Sequence, residues 1–358
     1  MVHIILLSSV ILAIICSKIN RSVQIYPFAV LFMFSAFRYM YGNDYASYMG
    51  WHTYMKAGGN SPYDEFLFTL LNRIFPNFYL LVAVTSLAYI YVIYRLIKDT
   101  LPIDYYWIGV LIFVINPYLF LMNLSSIRQC LAMLMFIIAV RFAIKRKPLP
   151  FLLFIGLAVL FHKSAVFLLP VYFVCGSKSF KRRWTVVILI CLFAVLSLDN
   201  FQTFISNIIS LFNDKDYNYF AQQSMQNSLR ATLLTGLFFI YVLLNLPKME
   251  GKALVYSKLY LIGTILGVLA MKMSMLTRFQ MYFDIFSIVA IPLILEQTIK
   301  KGAIVVNQNN VLITVWDCIN KYVMPFLLLL VYVLRYYSFF TNAMWSSFAQ
   351  YHTIFEVI

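Results

Sequence analysis

Three arginines lie directly beside long apolar runs, where a charged side chain costs free energy and is therefore often functional. Arg38 ends the second run. Arg128 and Arg278 lie in the segments 126–129 and 277–280, which read Ser-x-x-Gln and Thr-x-x-Gln. Both have the form of a capping box, which predicts a helix that starts at the Ser or Thr and carries the arginine in its first turn. Backbone N–H groups beside a guanidinium suit a phosphate, so the pattern indicates that Arg128 and Arg278 bind a diphosphate. The alternative is that each arginine simply extends to the membrane interface.

Two residues are candidates for a proton acceptor. His162 lies in a turn between two apolar runs, with Lys163 beside it, and an imidazole exchanges a proton near neutral pH. Its alternative role is to cap the end of a helix. Asp44 follows Arg38 closely in the chain and can either accept a proton or form a structural ion pair with that arginine.

Tyrosines accompany these charged residues. Tyr41, Tyr45 and Tyr48 share one face if their segment is helical, and Tyr282 shares a helix face with Arg278. Tyrosine rings beside a carboxylate commonly hold sugars by stacking and by hydroxyl hydrogen bonds. The alternative is an aromatic belt at the membrane interface.

The composition decides which elements position these side chains. Hydrophobic residues make up 63% of the 358 residues, charged residues make up 11%, and the mean hydropathy is +0.83. Soluble domains contain about 45–50% apolar and 25% charged residues. The chain therefore has too little charge to cover a soluble surface. A soluble enzyme, a disordered protein and a disulfide-stapled secreted domain are excluded.

The apolar runs have the length of membrane-spanning helices. We predict an all-α polytopic bundle that forms one membrane domain over residues 1–358. Its twelve or so spans are predicted near 1–17, 23–41, 78–97, 105–124, 127–144, 149–161, 164–176, 184–198, 231–246, 256–275, 278–296 and 322–338. The alternative for 149–161 and 164–176 is that the two form one re-entrant hairpin. The net charge of +15 is explained by basic cytoplasmic loops, so it predicts no nucleic-acid partner. The sequence contains no pattern of metal-ligand spacing, and no metal is expected.

Two segments between the spans are long enough to carry function, and the charge distribution puts both outside the cytoplasm. In residues 42–75, Ser61 and Pro62 predict the N-cap and first position of a short interfacial helix that runs to Ile74. The second segment covers residues 199–230. Elsewhere, the small residues Gly263 and Gly267 predict a helix-packing face, because their spacing brings two backbones close together.

Four motifs occur in the order and spacing of a known family. They are Phe37-Arg38-Tyr39 with Gly42-Asn43-Asp44-Tyr45 and Tyr48; Ile127-Arg128-Gln129 with Ala132; Phe161-His162-Lys163-Ser164-Ala165; and Thr277-Arg278 with Tyr282-Phe283. Asp216-Tyr217 with Tyr219 is similar to an aromatic pair in the family's long outer loop. Between about residues 30 and 290, the chain resembles the EpsG-like family of Wzy-type polysaccharide polymerases of bacterial envelopes.

The resemblance implies a multi-pass enzyme of the bacterial inner membrane, similar in architecture to GT-C glycosyltransferases, whose active site faces the periplasm. Such enzymes join oligosaccharide units carried on undecaprenyl diphosphate, need no cofactor and contact membrane lipids; a chain-length regulator protein is a candidate partner. The alternatives are a glycan ligase or related transferase, and a flippase. Our hypothesis gives the following residues roles: His162 or Asp44 as the base; Arg128, Arg278 and Arg38 at the diphosphate; and Tyr45, Tyr48, Gln129, Lys163, Tyr282 and Tyr217 at the substrate.

Overall fold

The computed structural model describes residues 1–62, 65–176, 179–197, 229–270, 272–273, 275–305 and 318–356. It confirms an all-α fold for this part of the chain, with two short strands. The helices are α1 (Val2–Ile19), α2 (Tyr26–Ala36), α3 (Tyr45–Lys56), α4 (Phe66–Ile74), α5 (Phe78–Thr100), α6 (Ile103–Ile115), α7 (Leu121–Ser125), α8 (Ile127–Ile144), α9 (Pro148–Phe161), α10 (Val171–Gly176), α11 (Arg183–Ser197), α12 (Leu229–Asn245), α13 (Gly251–Leu269), α14 (Leu276–Asp284), α15 (Ser287–Val305) and α16 (Met324–Thr341). The strands are β1 (Arg38–Tyr39) and β2 (His352–Thr353).

Many of these helices have the length and composition of membrane spans. Within the described residues, six are long and apolar enough to cross a bilayer, and α14 with α15, bent by 52°, makes a seventh if counted as one span. Five shorter apolar helices of 10–17 residues accompany them. A complete crossing takes about 20 residues, or somewhat fewer. The chain is therefore a membrane protein, and the predicted number of about twelve spans depends on whether the shorter helices cross.

The helices form two compact units. Unit 1 contains Met1–Gly176 and Leu329–Ile358, and unit 2 contains Ser177–Leu328. The centre of unit 1 is α8, which packs against α9, α5 and α10 and buries most of its side chains. Its small and branched apolar residues allow this close packing. Because α8 is packed on several sides, its first turn, which carries Arg128, is held in a defined position.

The end of the chain folds back onto the segment between α2 and α3. We call residues 342–356 the C-terminal strap. Its strand β2 pairs antiparallel with β1, with Arg38 opposite Thr353 and Tyr39 opposite His352. The backbone N–H of Gly42 donates to Ser347 O at 3.4 Å, and Gly42 has a φ of +110°, a left-handed conformation that favours glycine.

Aromatic rings attach the strap to the same segment. Tyr351 stacks on Phe34 with ring centroids 4.5 Å apart, and its hydroxyl donates to Phe34 O at 2.7 Å. The fully buried Phe348 meets Tyr41 edge-on at 5.2 Å. Aromatic pairs in this geometry each contribute about 0.5–1.5 kcal/mol beyond their buried area. The strap therefore holds the chain that leads into α3.

Unit 2 contains the predicted glycine packing face. Gly263 of α13 lies against Phe283 and Asp284 of α14, and Gly267 lies against Thr235 of α12. Between helices that lack a hydrophobic driving force in lipid, such close backbone contact supplies van der Waals attraction. The packing role predicted for the two glycines is confirmed.

Substituting Gly263 by alanine is expected to destabilise unit 2. The added Cβ would lie 2.8 Å from Asp284 Oδ1, 3.0 Å from Phe283 Cβ and 3.2 Å from Asp284 N, so the Asp284 side chain must turn and α14 must shift by a few tenths of an ångström. Overpacking of this kind costs about 1–3 kcal/mol, which should lower the thermal unfolding midpoint of the purified protein. Gly236→Ala on α12 is the matched control, because its Cβ would meet no described atom within 4 Å. The control should leave the midpoint unchanged or raise it, and equal midpoints for the two variants would contradict this packing role.

Two predicted helix starts are wrong, and one conditional helix face does not form. The helix after Ser61 begins at Phe66, with Glu65 as its N-cap; residues 63–64, where we placed its first turn, lie outside the described residues. Thr277 lies inside α14, whose N-cap is Met275. Helix α3 begins at Tyr45, because positive φ angles at Met40 and Gly42 interrupt the backbone before it. Tyr41 therefore does not share a helix face with Tyr45 and Tyr48.

The third predicted start, that of α8, is at the predicted position but lacks the predicted capping hydrogen bond. Ser126 is its N-cap, yet the Ser126 side chain makes no capping hydrogen bond. The backbone of Ser126 has φ −86° and ψ +61°, away from the extended conformation that aims a capping hydroxyl at the helix. The Ser126 hydroxyl therefore accepts no capping hydrogen bond from the backbone N–H groups at this end of α8.

Candidate functional site

One carboxylate of unit 1 contacts both a guanidinium and an imidazole. Nη1 of Arg128 donates to Oε1 and Oε2 of Glu65 at 3.0 and 2.9 Å. Nδ1 of His162 lies 3.2 Å from Oε1 of the same carboxylate. The Glu65 side chain is 8% exposed, against 24% for Arg128 and 19% for His162. The acid at the centre of the cluster, Glu65, is thus buried, while Arg128 and His162 are partly exposed at the protein surface.

Three helix ends bring these side chains together. Arg128 lies in the first turn of α8, His162 is the C-cap of α9, and Glu65 is the N-cap of α4. Helices α8 and α9 pack side by side, and α4 packs against α9. Helix ends are stiffer than free loops, so the cluster is set by rigid elements.

Electrostatics keep the Glu65 carboxylate ionised. Burial by itself would raise its pKa, but the hydrogen bond from His162 and the positive charge of Arg128 outweigh burial and lower the pKa below its usual range. Glu65 is therefore a hydrogen-bond acceptor at neutral pH. The nitrogen of His162 that faces it consequently carries a proton, because a carboxylate has no hydrogen to donate.

The predicted substrate residues Tyr48, Gln129 and Lys163 lie at or next to this cluster. Nε of Arg128 donates to the Tyr48 hydroxyl at 3.4 Å. The Tyr48 ring meets Phe68 of α4 edge-on at 5.4 Å. Gln129 follows Arg128 on α8 and is buried, and Lys163 follows His162 and is exposed. Unit 1 therefore joins three of the predicted motifs at one place.

Asp44 and Tyr45 lie at the start of α3. Asp44 is its N-cap and is exposed, and its backbone N–H donates to the Ser125 hydroxyl at 2.9 Å. Tyr45 is buried, and its hydroxyl donates to Arg38 O at 3.1 Å. These contacts tie α3 to β1 and to the end of α7, just before α8 begins.

Arg38 is fully buried. Its guanidinium donates to Ser35 O, to the Ser86 hydroxyl at 2.9 Å and to Leu124 O at 3.0 Å, and it lies over the Tyr45 ring. The group is charged at neutral pH, because a guanidinium keeps its proton even when it is buried. These contacts hold the Arg38 side chain between α2, α5 and α7. Its role at a diphosphate stays a prediction.

The remaining predicted residues lie elsewhere in the chain. Arg278 and Tyr282 belong to α14 of unit 2, where Tyr282 is fully buried. Gln280 of the same helix donates to Asp284 at 2.7 Å. Tyr217, in the predicted outer segment 199–230, lies outside the described residues.

Glu65 is the residue of the cluster that lies in none of the four sequence motifs. It stands 63 residues before Arg128 and 97 before His162, so only the fold brings the three together. One local signal was available. An acidic residue immediately before an apolar helix complements the positive end of that helix, which marks Glu65 as a helix start. That signal alone does not name its partners.

Comparison with known proteins identifies the family of the chain. In the described ranges, no group of three or more His, Cys, Asp or Glu residues could hold a metal ion. No curated protein and no solved structure matches the chain. The model of the EpsG family matches residues 23–353, which include β1, the whole cluster, α14 and strand β2. This match covers nearly the whole chain, and the protein therefore belongs to the EpsG family, a family of the Wzy-type polymerase kind.

Proposed function

We propose that this protein is a polysaccharide polymerase that joins oligosaccharide units carried on undecaprenyl diphosphate. The reaction would take place at the outer leaflet of the bacterial inner membrane, with the site facing the periplasm. The growing glycan would leave its lipid diphosphate and join a sugar hydroxyl of the incoming unit. Membership of the EpsG family supports a polymerase of this general kind. The apolar helices support a substrate that is held in a membrane.

The observation that carries the proposal is the Arg128–Glu65–His162 cluster. Glycosyl transfer from a diphosphate needs a cation near the leaving group and a proton acceptor near the attacking hydroxyl. Arg128 can supply the cation, because a guanidinium binds phosphate through several N–H donors in a fixed geometry. His162 or Asp44 would accept the proton. Arg128 and His162 contact the same Glu65 carboxylate, which supports these roles.

The other predicted residues keep supporting roles in the proposal. Tyr48, which contacts Arg128, and Lys163, which follows His162, would contact sugar hydroxyls or phosphate oxygens, and Gln129 and Tyr45 would also contact the substrate. Arg278 would contact a diphosphate and Tyr282, on the same face of α14, the substrate.

Deleting the gene tests the proposal directly. In the deletion strain, surface polysaccharide resolved by size on a gel should collapse from a ladder to a single repeat unit. Units would still reach the surface but would no longer be joined. Reintroducing the wild-type gene should restore the ladder and serves as the control.

Other outcomes of the same gel would contradict a polymerase. If even the single capped unit disappears from the surface while lipid-linked units accumulate inside, the protein is a flippase. If long lipid-linked polymer accumulates without being attached to its final acceptor, it is a ligase. An unchanged ladder would show that the protein does not act on this polymer at all.

A further inference from the structure

Glu65 is placed to control what His162 can do. Its Oε1 lies within hydrogen-bond distance of both Arg128 Nη1 and His162 Nδ1, so one oxygen links the two side chains. The backbone that carries this carboxylate is also held in place, because α4 begins at the next residue and its Phe68 packs against Tyr48. A buried carboxylate held from two sides has little freedom to turn away.

This contact selects one form of the imidazole. The Glu65 carboxylate accepts hydrogen bonds and donates none, so Nδ1 of His162 is the protonated nitrogen. In a neutral imidazole the other nitrogen, Nε2, then carries a lone pair. The arrangement matches the general pattern in which a buried acid orients a histidine base and stabilises the imidazolium that forms.

Resting on the proposed polymerase function, we propose that Glu65 is a positioning residue that makes His162 the general base of the transfer. The acceptor hydroxyl would lose its proton to Nε2 of His162 while its oxygen forms the new bond to the anomeric carbon. The bond from that carbon to the diphosphate oxygen would break, and its electron pair would leave with the diphosphate, which Arg128 binds. This assignment chooses His162 over Asp44, which lies exposed at the start of α3.

The substitution Glu65→Gln removes the negative charge with almost no change in shape. An amide oxygen at the position of Oε1 can still accept from Arg128 and His162, so the contacts are kept. A neutral amide does not stabilise the imidazolium that forms when Nε2 takes the proton, so His162 becomes a much weaker base. We expect kcat for unit joining to fall about 100-fold, within the usual range for loss of a general base.

A double-mutant cycle shows whether the effect passes through His162. Elongation of a lipid-linked repeat unit is measured with the purified protein in liposomes. In a His162→Asn background, Glu65→Gln should lower kcat less than about threefold, because the base it positions is already gone. In an Arg128→Lys background it should still lower kcat about 100-fold. Glu65→Asp, which keeps the acceptor on a shorter side chain, should fall between wild type and Glu65→Gln.

The chain offers a matched control for this cycle. Glu356 contacts His352 Nδ1 at 3.0 Å in the C-terminal strap, and that pair is half exposed. Glu356→Gln should leave kcat unchanged. Folding of each variant is checked by its thermal unfolding midpoint, and the ratio of rates inside the cycle remains informative even if Glu65→Gln lowers that midpoint.

Two results would overturn the inference while the polymerase proposal stands. One is a loss from Glu65→Gln that is as large in the His162→Asn background as in wild type. The other is a His162→Asn variant that elongates at the wild-type rate. If instead the wild-type protein fails to elongate any lipid-linked unit, the proposed function itself is wrong and this assignment falls with it.

Discussion

Replacing Arg128 by alanine is expected to lower polymer formation by about 100- to 1000-fold. Loss of one preorganised donor to a developing negative charge has this size of effect on other transfer reactions. Arg128→Lys should lose less, about tenfold, because it keeps the charge but not the fork of N–H donors. The measurement is the length and amount of surface polysaccharide in a deletion strain that carries each variant.

Stability must be followed in the same strains, because Arg128 also neutralises Glu65. Removing one partner of a fully buried ion pair costs about 3–5 kcal/mol, and less when the pair is partly exposed, as Arg128 is. The matched control is Arg95→Ala, which removes an arginine from its exposed 3.0 Å contact with Asp99. An exposed pair contributes about 1 kcal/mol or less. Wild-type polymer from Arg128→Ala, at a normal protein level, would show that Arg128 is not at the diphosphate.

Phe348→Ala is expected to release the C-terminal strap and to destabilise unit 1 by about 3–5 kcal/mol, the usual cost of truncating a buried Phe. Phe348 is fully buried and packs against Tyr41 and Phe339, each with ring centroids at 5.2 Å. Its removal opens a cavity beside the segment that leads into α3. The free energy of unfolding, measured by titrating the purified protein with denaturing detergent, should fall by this amount.

Polymer formation should fall together with stability in Phe348→Ala, because α3 carries Tyr48 into the cluster. Phe355→Ala is the control: this ring is 68% exposed and contacts Phe37 at 5.0 Å. It should change the free energy of unfolding by less than about 1 kcal/mol, since little apolar surface is lost. If both variants behave like wild type, the strap does not hold the α2–α3 segment in place.

The apolar helices were the part of the fold that the sequence predicted best. The span predicted at 127–144 coincides with α8, and the spans predicted at 149–161 and 78–97 fall within a few residues of α9 and α5. These helices are defined by long apolar runs, which the sequence shows directly. Helix ends outside the apolar runs were predicted less well. Ser61 and Thr277 have good capping chemistry, yet the N-caps are Glu65 and Met275, which make no side-chain capping hydrogen bond, so capping preference does not decide where α4 and α14 begin.

The candidate site could be predicted only in part, for a different reason. Arg128, His162 and Tyr48 stood out because charged and aromatic residues are rare beside apolar runs. Glu65 did not stand out, since an acid in a polar segment has an ordinary explanation as a solvated side chain. Its partners lie 63 and 97 residues further along the chain, and no spacing rule connects residues at that distance. The contacts of the C-terminal strap could not be predicted for the same reason. Ser347 of the strap, for example, donates a hydrogen bond to Asn43, which lies 304 residues earlier in the chain.

The pairing of β1 with β2 also constrains how the chain is threaded through the bilayer. Tyr39 and His352 are opposite each other in one two-stranded ladder, so both lie on the same side of the membrane. A chain that leaves one side and returns to it crosses an even number of times. The helices between these residues must therefore make an even number of complete passes, whichever of the shorter ones cross. A reporter attached after the strap would consequently reveal which compartment the start of α3 faces, without any probe inserted near the cluster.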